Sequence, residues 1–173
     1  RSANRLHNAL LKEGIDSLML VQQKTNDNKT ILHESNNYKR ILSKARSTLA
    51  KLPITRYKYR SPTLFSPAKV PFSDLAKKIN QINPDIVHFH WIAGGLIDIH
   101  DLAKIQAPII WSLHDMWPFT GGCHYDEDCG GYVRACGSCK VLNSKKANDL
   151  SRDGWQQKNS SYSKLSNLTV VGL

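Results

Sequence analysis

"PDIVHFHWIAGG", residues 84–95, and "PIIWSLHD", residues 108–115, are two short apolar runs, each opened by proline and closed by polar residues. Both are rich in β-branched side chains and apolar on both faces, as parallel strands covered by helices are. Between them a Gly-Gly turn and a short helix over 98–105 supply the crossover that parallel strands need. Ahead of the first run, Leu75, Ala76, Ile79 and Ile82 recur at helical spacing, with Ser73 as the cap and Pro84 as the stop.

The same alternation extends outward. Ala3, Leu6, Leu10 and Leu11 make a helical stripe ended by Gly14, and "DSLMLV" at 16–21 reads as a strand. Residues 23–37 are polar and read as a loop, followed by a basic helix over 38–52 that Pro53 closes. "SPTLFSPAKVP", residues 61–71, is a proline-punctuated connection. Toward the end, a polar helix over 150–165 carries Trp155, Tyr162 and Leu165 on one side. Gly154 weakens that helix by about 1 kcal/mol relative to alanine. "LTVVGL", 168–173, is the last strand. Helices alternating with strands predict an α/β domain with a mostly parallel, Rossmann-like sheet.

The chain has 173 residues and a net charge of +10. Residues 1–71 hold 14 Lys/Arg against 4 Asp/Glu, whereas residues 72–173 hold 10 of each. Such asymmetry points to an anionic partner or to a lysine-rich solvated surface. Nucleic acid fits least, because aromatics do not interleave with the basic residues. No apolar stretch reaches the roughly 18 residues of a membrane span, and no signal peptide is visible. The chain opens on residues that read as helix and stops after an apolar run, so residues 1–173 read as one domain cut from a longer protein.

In open α/β sheets, ligands bind beyond the carboxyl ends of the strands. The first strand brings His90 and Trp91 to that edge, followed by Gly94 and Gly95, where backbone N–H groups can approach a ligand closely. His88, two residues earlier on the same face, is expected to be buried and structural. The second strand ends in His114 and Asp115 and turns through "MWPFTGG", which adds Gly121 and Gly122 as candidate ligand contacts. A histidine there can donate to a sugar hydroxyl or phosphate, and a neighbouring carboxylate can fix its tautomer.

Cys123, Cys129, Cys136 and Cys139 follow with the spacing C-x5-C-x6-C-x2-C. The final C-x2-C suits chelation, and the first pair is looser than in a standard zinc ribbon. Four thiolates at about 2.3 Å from a structural Zn²⁺ would brace this glycine-rich loop, residues 123–139, in a reducing cytoplasm. Free thiols, disulfides and an iron–sulfur cluster are the other readings of the same four residues.

"PDIVHFHWIAGG", "PIIWSLHDMWPFTGGCHYDEDC" and "CGSC" together resemble family 4 glycosyltransferases, the retaining group-1 type, and most of all those of bacterial exopolysaccharide and colanic-acid assembly. The resemblance runs from "RLHNALLKEGIDSLMLV" to "NLTVVGL". It implies the acceptor-side, N-terminal half of a GT-B fold. The opening strand and the nucleotide-holding C-terminal half would both lie outside residues 1–173. The implied activity is transfer of a hexosyl unit, with retention, from a nucleotide-sugar to a polysaccharide or lipid-linked saccharide. The implied catalytic positions are His114, orienting the transferred sugar, and Asp115 supporting it, with no general base. Catalysis would then rest on positioning and on stabilising the departing diphosphate.

Lipid-linked acceptors lie at the inner face of the cell membrane. The expected location is therefore cytoplasmic and peripheral, with Lys39, Arg40, Lys44 and Arg46 contacting anionic headgroups. A zinc-stabilised nucleic-acid-binding module and a non-catalytic α/β sugar-binding domain are the competing readings. The first would need its positive charge near the cysteines, and the charge lies in residues 1–71.

Overall fold

The computed structural model describes residues 2–24, 27–33, 37–71 and 73–172, without the side chains of 37–40 and 42–44. The chain is mixed α/β, with parallel strands in two small sheets, and divides into compact units at residues 1–44 and 45–173.

In the first unit, helix α1 (Ser2–Lys12) ends at Gly14, whose φ of 75° takes the left-handed turn. Strands β1 (Met19–Leu20) and β2 (Ile31–Leu32) pair in parallel. β2 lies inside the segment expected to be loop, because its apolar pair is too short to stand out among polar neighbours. The buried residue of α1 is His7. Its ring nitrogens meet the hydroxyls of Ser17 and Thr30, both at 2.8 Å, so the burial is satisfied.

Helix α2 (Asn37–Lys51) runs into a short 3₁₀ helix at Leu52–Arg56, with Pro53 where a missing N–H costs nothing. Of the four proposed membrane contacts, the side chains of Lys39, Arg40 and Lys44 lie outside the described residues. Arg46 turns inward instead: it is 9% exposed and pairs with Asp74 at 3.5 Å. A buried guanidinium seeks a carboxylate, and Asp74 on the next helix supplies one.

Helix α3 (Leu75–Ile82) buries Leu75, Ala76 and Ile79. Its N-cap is Asp74, one residue later than the expected Ser73, and Asn83 ends it at a φ of 52°. Strands β3 (Val87–Phe89), β4 (Ile109–Ser112) and β5 (Leu168–Val171) form a parallel sheet in that order. Phe89 pairs with Trp111, and Trp111 with Val170. The side of the sheet bearing Phe89, Ile109 and Trp111 is the packed one, since all three are at most 6% exposed. Burying each such side chain contributes about 1.5–3 kcal/mol. Strand β5, by contrast, leaves Val170 and Val171 exposed, so the sheet is not covered on both faces among the described residues.

Helix α4 (Leu150–Tyr162) starts at Asp149, whose carboxylate accepts from the amides of Ser151, Arg152 and Cys139. The aromatic side expected to face the core is only part-buried. The buried stripe is Ser151, Gly154, Lys158 and Ser161. These residues let the helix dock against backbone. A Cβ at Gly154 would collide with the carbonyl oxygen of Gly121, and one at Gly121 with that of Ser151. Ser161 donates to the carbonyl of Ile99 at 2.6 Å. Lys158, fully enclosed, donates to the carbonyls of Trp117 and Thr120 and lies 3.8 Å over the Trp117 ring. Burial pulls its ammonium down to about 7.

Gly154→Ala, a stabilising change in most helices, should here lower the melting temperature, because the helix must retreat from residue 121. Lys158→Met should cost about 1–3 kcal/mol in urea unfolding, since two buried carbonyls lose their donor. Unchanged midpoints for both variants would contradict this packing.

Candidate functional site: a histidine row beside a held tryptophan

Strands β3 and β4 pair with His88 opposite Ile110, and the side-chain bonds between them run diagonally, each to the residue two beyond the register partner. His88 Nε2 lies 2.9 Å from Ser112 Oγ, and His90 Nδ1 lies 2.9 Å from His114 Nε2. The His90 ring stacks on His88 at 4.4 Å and on His114 at 5.2 Å. Three imidazoles thus form a row along the carboxyl ends of two parallel strands. His88 is exposed, not buried as expected, because β3 is an edge strand and its outward face has no cover among the described residues.

Burial first, and then neighbouring imidazoles, hold His88 and His90 below the ordinary histidine value. Both are therefore neutral at pH 7. The His90–His114 bond needs one nitrogen to donate and the other to accept.

The next residue on each strand makes a second cross-strand pair. Trp91 Nε1 donates to Asp115 Oδ2 at 3.0 Å. The same oxygen lies 2.6 Å from His124 Nδ1, and Oδ1 accepts from the Trp117 amide at 2.9 Å. The far side of His124 is closed by Ser66, with Nε2 3.0 Å from Oγ. His124 is 2% exposed, so its two ring nitrogens are satisfied entirely from within the protein. The carboxylate expected to orient His114 is thus committed to Trp91 and His124, and His114 takes its partner from His90. The turn-capping role of Asp115 is present as well, through the Trp117 amide.

Of the glycines, Gly94 sits under the Trp91 ring at a φ of 72°. Gly95 is buried against the backbone of Ser47. The helix that follows is a 3₁₀ segment, Ile99–Lys104, capped by Asp98. Gly121 and Gly122 are both buried and are used by the protein itself. Gly121 abuts α4, while Gly122 lies against Phe65 and accepts the Ser66 amide at 2.8 Å. Residues 66 and 124 were missed in the sequence. A histidine beside Cys123 reads as part of the cysteine segment, and Ser66 is 58 positions away, so no local pattern joins them.

All four cysteines are free thiols, Cys123 and Cys139 buried and Cys129 exposed. The buried pair packs with Ile54, Phe65, Val141 and Leu142. Burial raises the Cys123 thiol to about 12 and that of Cys136 to about 11, so both are protonated as they stand. Among the described residues no group of three or more His, Cys, Asp or Glu side chains is arranged to hold a metal ion.

No protein-family model and no solved structure matches the chain. It is 22% identical over 149 residues to "Putative colanic acid biosynthesis glycosyl transferase WcaC" of Escherichia coli (strain K12). That alignment covers 80% of this chain but 35% of the relative, so the chain spans well under half of that protein. The likeness is distant, and it is to a protein described as a glycosyltransferase, the class that the segments at 84–95 and 108–129 resemble.

Proposed function

We propose that the chain is the acceptor-side half of a GT-B glycosyltransferase that moves a hexosyl unit, with retention, from a nucleotide-sugar to a saccharide acceptor in exopolysaccharide assembly. The observation that carries this is the row of His88, His90 and His114 at the carboxyl ends of β3 and β4, beside the half-exposed Trp91. That edge is where α/β sheets take ligands, and neutral imidazoles can donate to or accept from sugar hydroxyls. The similarity to the E. coli protein supports the same class. His114 orients the transferred sugar through its own ring and its bond to His90. Asp115 acts through Trp91 and His124. The expected readout is transfer by the full-length enzyme to an acceptor saccharide from one member of a nucleotide-sugar panel, with the anomeric linkage assigned by NMR. An inverted product would refute retention, and transfer by residues 1–173 alone would refute the missing-half reading.

His114→Ala in the full-length enzyme should lower turnover by about two orders of magnitude, the scale of a lost preorganised contact, with the melting temperature nearly unchanged. Turnover should also fall in acid. Below about pH 6.5 the unfolded histidines take protons first, because His88 and His90 resist them when folded. Their contribution to stability is therefore present above that pH and is lost as the pH falls toward their lowered values. A flat profile from pH 7 to 5 would remove these rings from the reaction.

The same proposal includes a structural Zn²⁺ at Cys123, Cys129, Cys136 and Cys139, which rests on spacing. Binding would have to displace the thiol protons. Elemental analysis should find about one zinc per chain, lost in Cys136→Ser. Metal-free protein with four thiols titrating without denaturant would eliminate it.

Peripheral attachment to an anionic membrane rests on the basic residues between 38 and 60. Lys51, Arg56, Lys58 and Arg60 are exposed, and no helix among the described residues is long and apolar enough to cross a membrane. Sedimentation with phosphatidylserine vesicles should fall with added salt and on reversing Lys39, Arg40 and Lys44, while Arg46 should matter only for folding. Binding indifferent to salt would overturn the attachment.

A further inference from the structure

We propose that the indole of Trp91 is a stacking platform for a pyranose ring, and that Asp115, His124 and Ser66 form a positioning relay that holds it in place. The inference deepens the transferase reading by assigning a sugar subsite, and relies on that reading only for the reaction that follows binding.

Trp91 is 48% exposed, whereas Trp111 and Trp117 are 2% and 3% exposed. An indole left at a surface normally keeps its rotamer freedom, yet this one is held on three sides. Its Nε1–H is bonded to Asp115 at 3.0 Å. Its ring lies 5.5 Å from that of His124, tilted by 32°. Beneath it is Gly94, at a φ of 72°, where a Cβ would come within 3.1 Å of the indole Cη2. A side chain there would be strained by the backbone angle and would crowd the ring, so glycine suits the position twice over.

The support behind the ring is equally complete. Asp115 Oδ2 receives both Trp91 and His124, Oδ1 receives the Trp117 amide, and the buried His124 is closed off by Ser66 Oγ at 3.0 Å. With its N–H already used, the indole offers a ligand only apolar surface. One residue before it in the chain, His90 bonds His114, so polar nitrogens also belong to this edge. A rigid apolar ring at an edge that also carries imidazoles matches the two characters of a pyranose, whose C–H face stacks on aromatics while its hydroxyls seek hydrogen bonds. A phosphate would gain nothing from the indole.

The test uses the 173-residue chain labelled with ¹⁵N, in which the Trp91 Nε1 resonance is identified by its loss in Trp91→Phe. Methyl β-D-galactopyranoside, methyl β-D-glucopyranoside, methyl α-D-mannopyranoside and methyl α-L-fucopyranoside are titrated against it, alongside UDP and GDP. We expect at least one pyranoside to shift this resonance, with affinity falling about tenfold in Trp91→Ala and largely kept in Trp91→Tyr. Asp115→Asn and Ser66→Ala, each checked for an intact fold by circular dichroism, should weaken the same binding without touching the imidazole row. Silence of the resonance toward every pyranoside, or a response to UDP or GDP alone, would overturn the platform. Wild-type affinity in both relay variants would overturn the relay.

Kinetics of the full-length enzyme separate the sources of the ring. A raised KM for acceptor in Trp91→Ala assigns the platform to the acceptor saccharide, and a raised KM for donor assigns it to the transferred sugar. Transfer with both KM values unchanged would sink the platform and leave the transferase reading standing. Pyranoside binding at Trp91 without any transfer would do the reverse.

Discussion

Asp115 gathers three donors from three stretches of chain: the Trp91 side chain after β3, the Trp117 amide in its own turn, and the buried ring of His124 beyond that turn. At 11% side-chain exposure, this carboxylate has lost most of its water, and those donors take the water's place. The geometry of the whole edge follows. Trp91 is tied down, the turn after β4 closes back on itself, and Ser66 is drawn in from the connection ahead of α3. Removing the carboxylate would strand a buried imidazole as well as free an indole.

The turn that Asp115 begins is held from behind by α4, through a contact of unusual composition. Ser151, Gly154, Lys158 and Ser161 form the buried stripe; Lys158 donates to carbonyls of the turn and Ser161 to that of residue 99, while Ser151 donates to the Asp149 cap. A loop rich in glycine and proline has many backbone acceptors and no ladder to satisfy them. A helix that brings an ammonium and a hydroxyl to those acceptors meets that need better than an apolar face would. Gly121 and Gly154 are where the two backbones touch, so the glycines after the site belong to this contact and not to a ligand.

Element types were legible in the sequence where apolar runs were bounded by proline and glycine, as at residues 84–95 and 108–115. The inward face of α4 was not, because hydrophobic periodicity points to Trp155 and Tyr162, and a helix docked by hydrogen bonds leaves no apolar stripe to read. Gly154 looked like a local weakness because the backbone it must touch lies far off in sequence. At the site, the strand ends carrying histidine were visible, but their pairing was not. Adjacency suggested that Asp115 serves His114, whereas strand alternation sends neighbouring side chains to opposite faces and gives each a partner across the sheet. Arg46 shows the same limit: a basic run reads as surface until one member finds a carboxylate on the next helix.

The two cross-strand bonds, 90 to 114 and 91 to 115, span the same interval of 24 residues. They act as a vernier on sheet alignment. A slip of one residue between β3 and β4 would exchange the partners, facing Trp91 toward a position meant for a histidine and breaking both bonds together. No intermediate alignment keeps half the site. The bonds therefore exist only where β3 and β4 are paired in this register. A nascent or partly unfolded chain would therefore have no weakened version of this surface to offer a sugar.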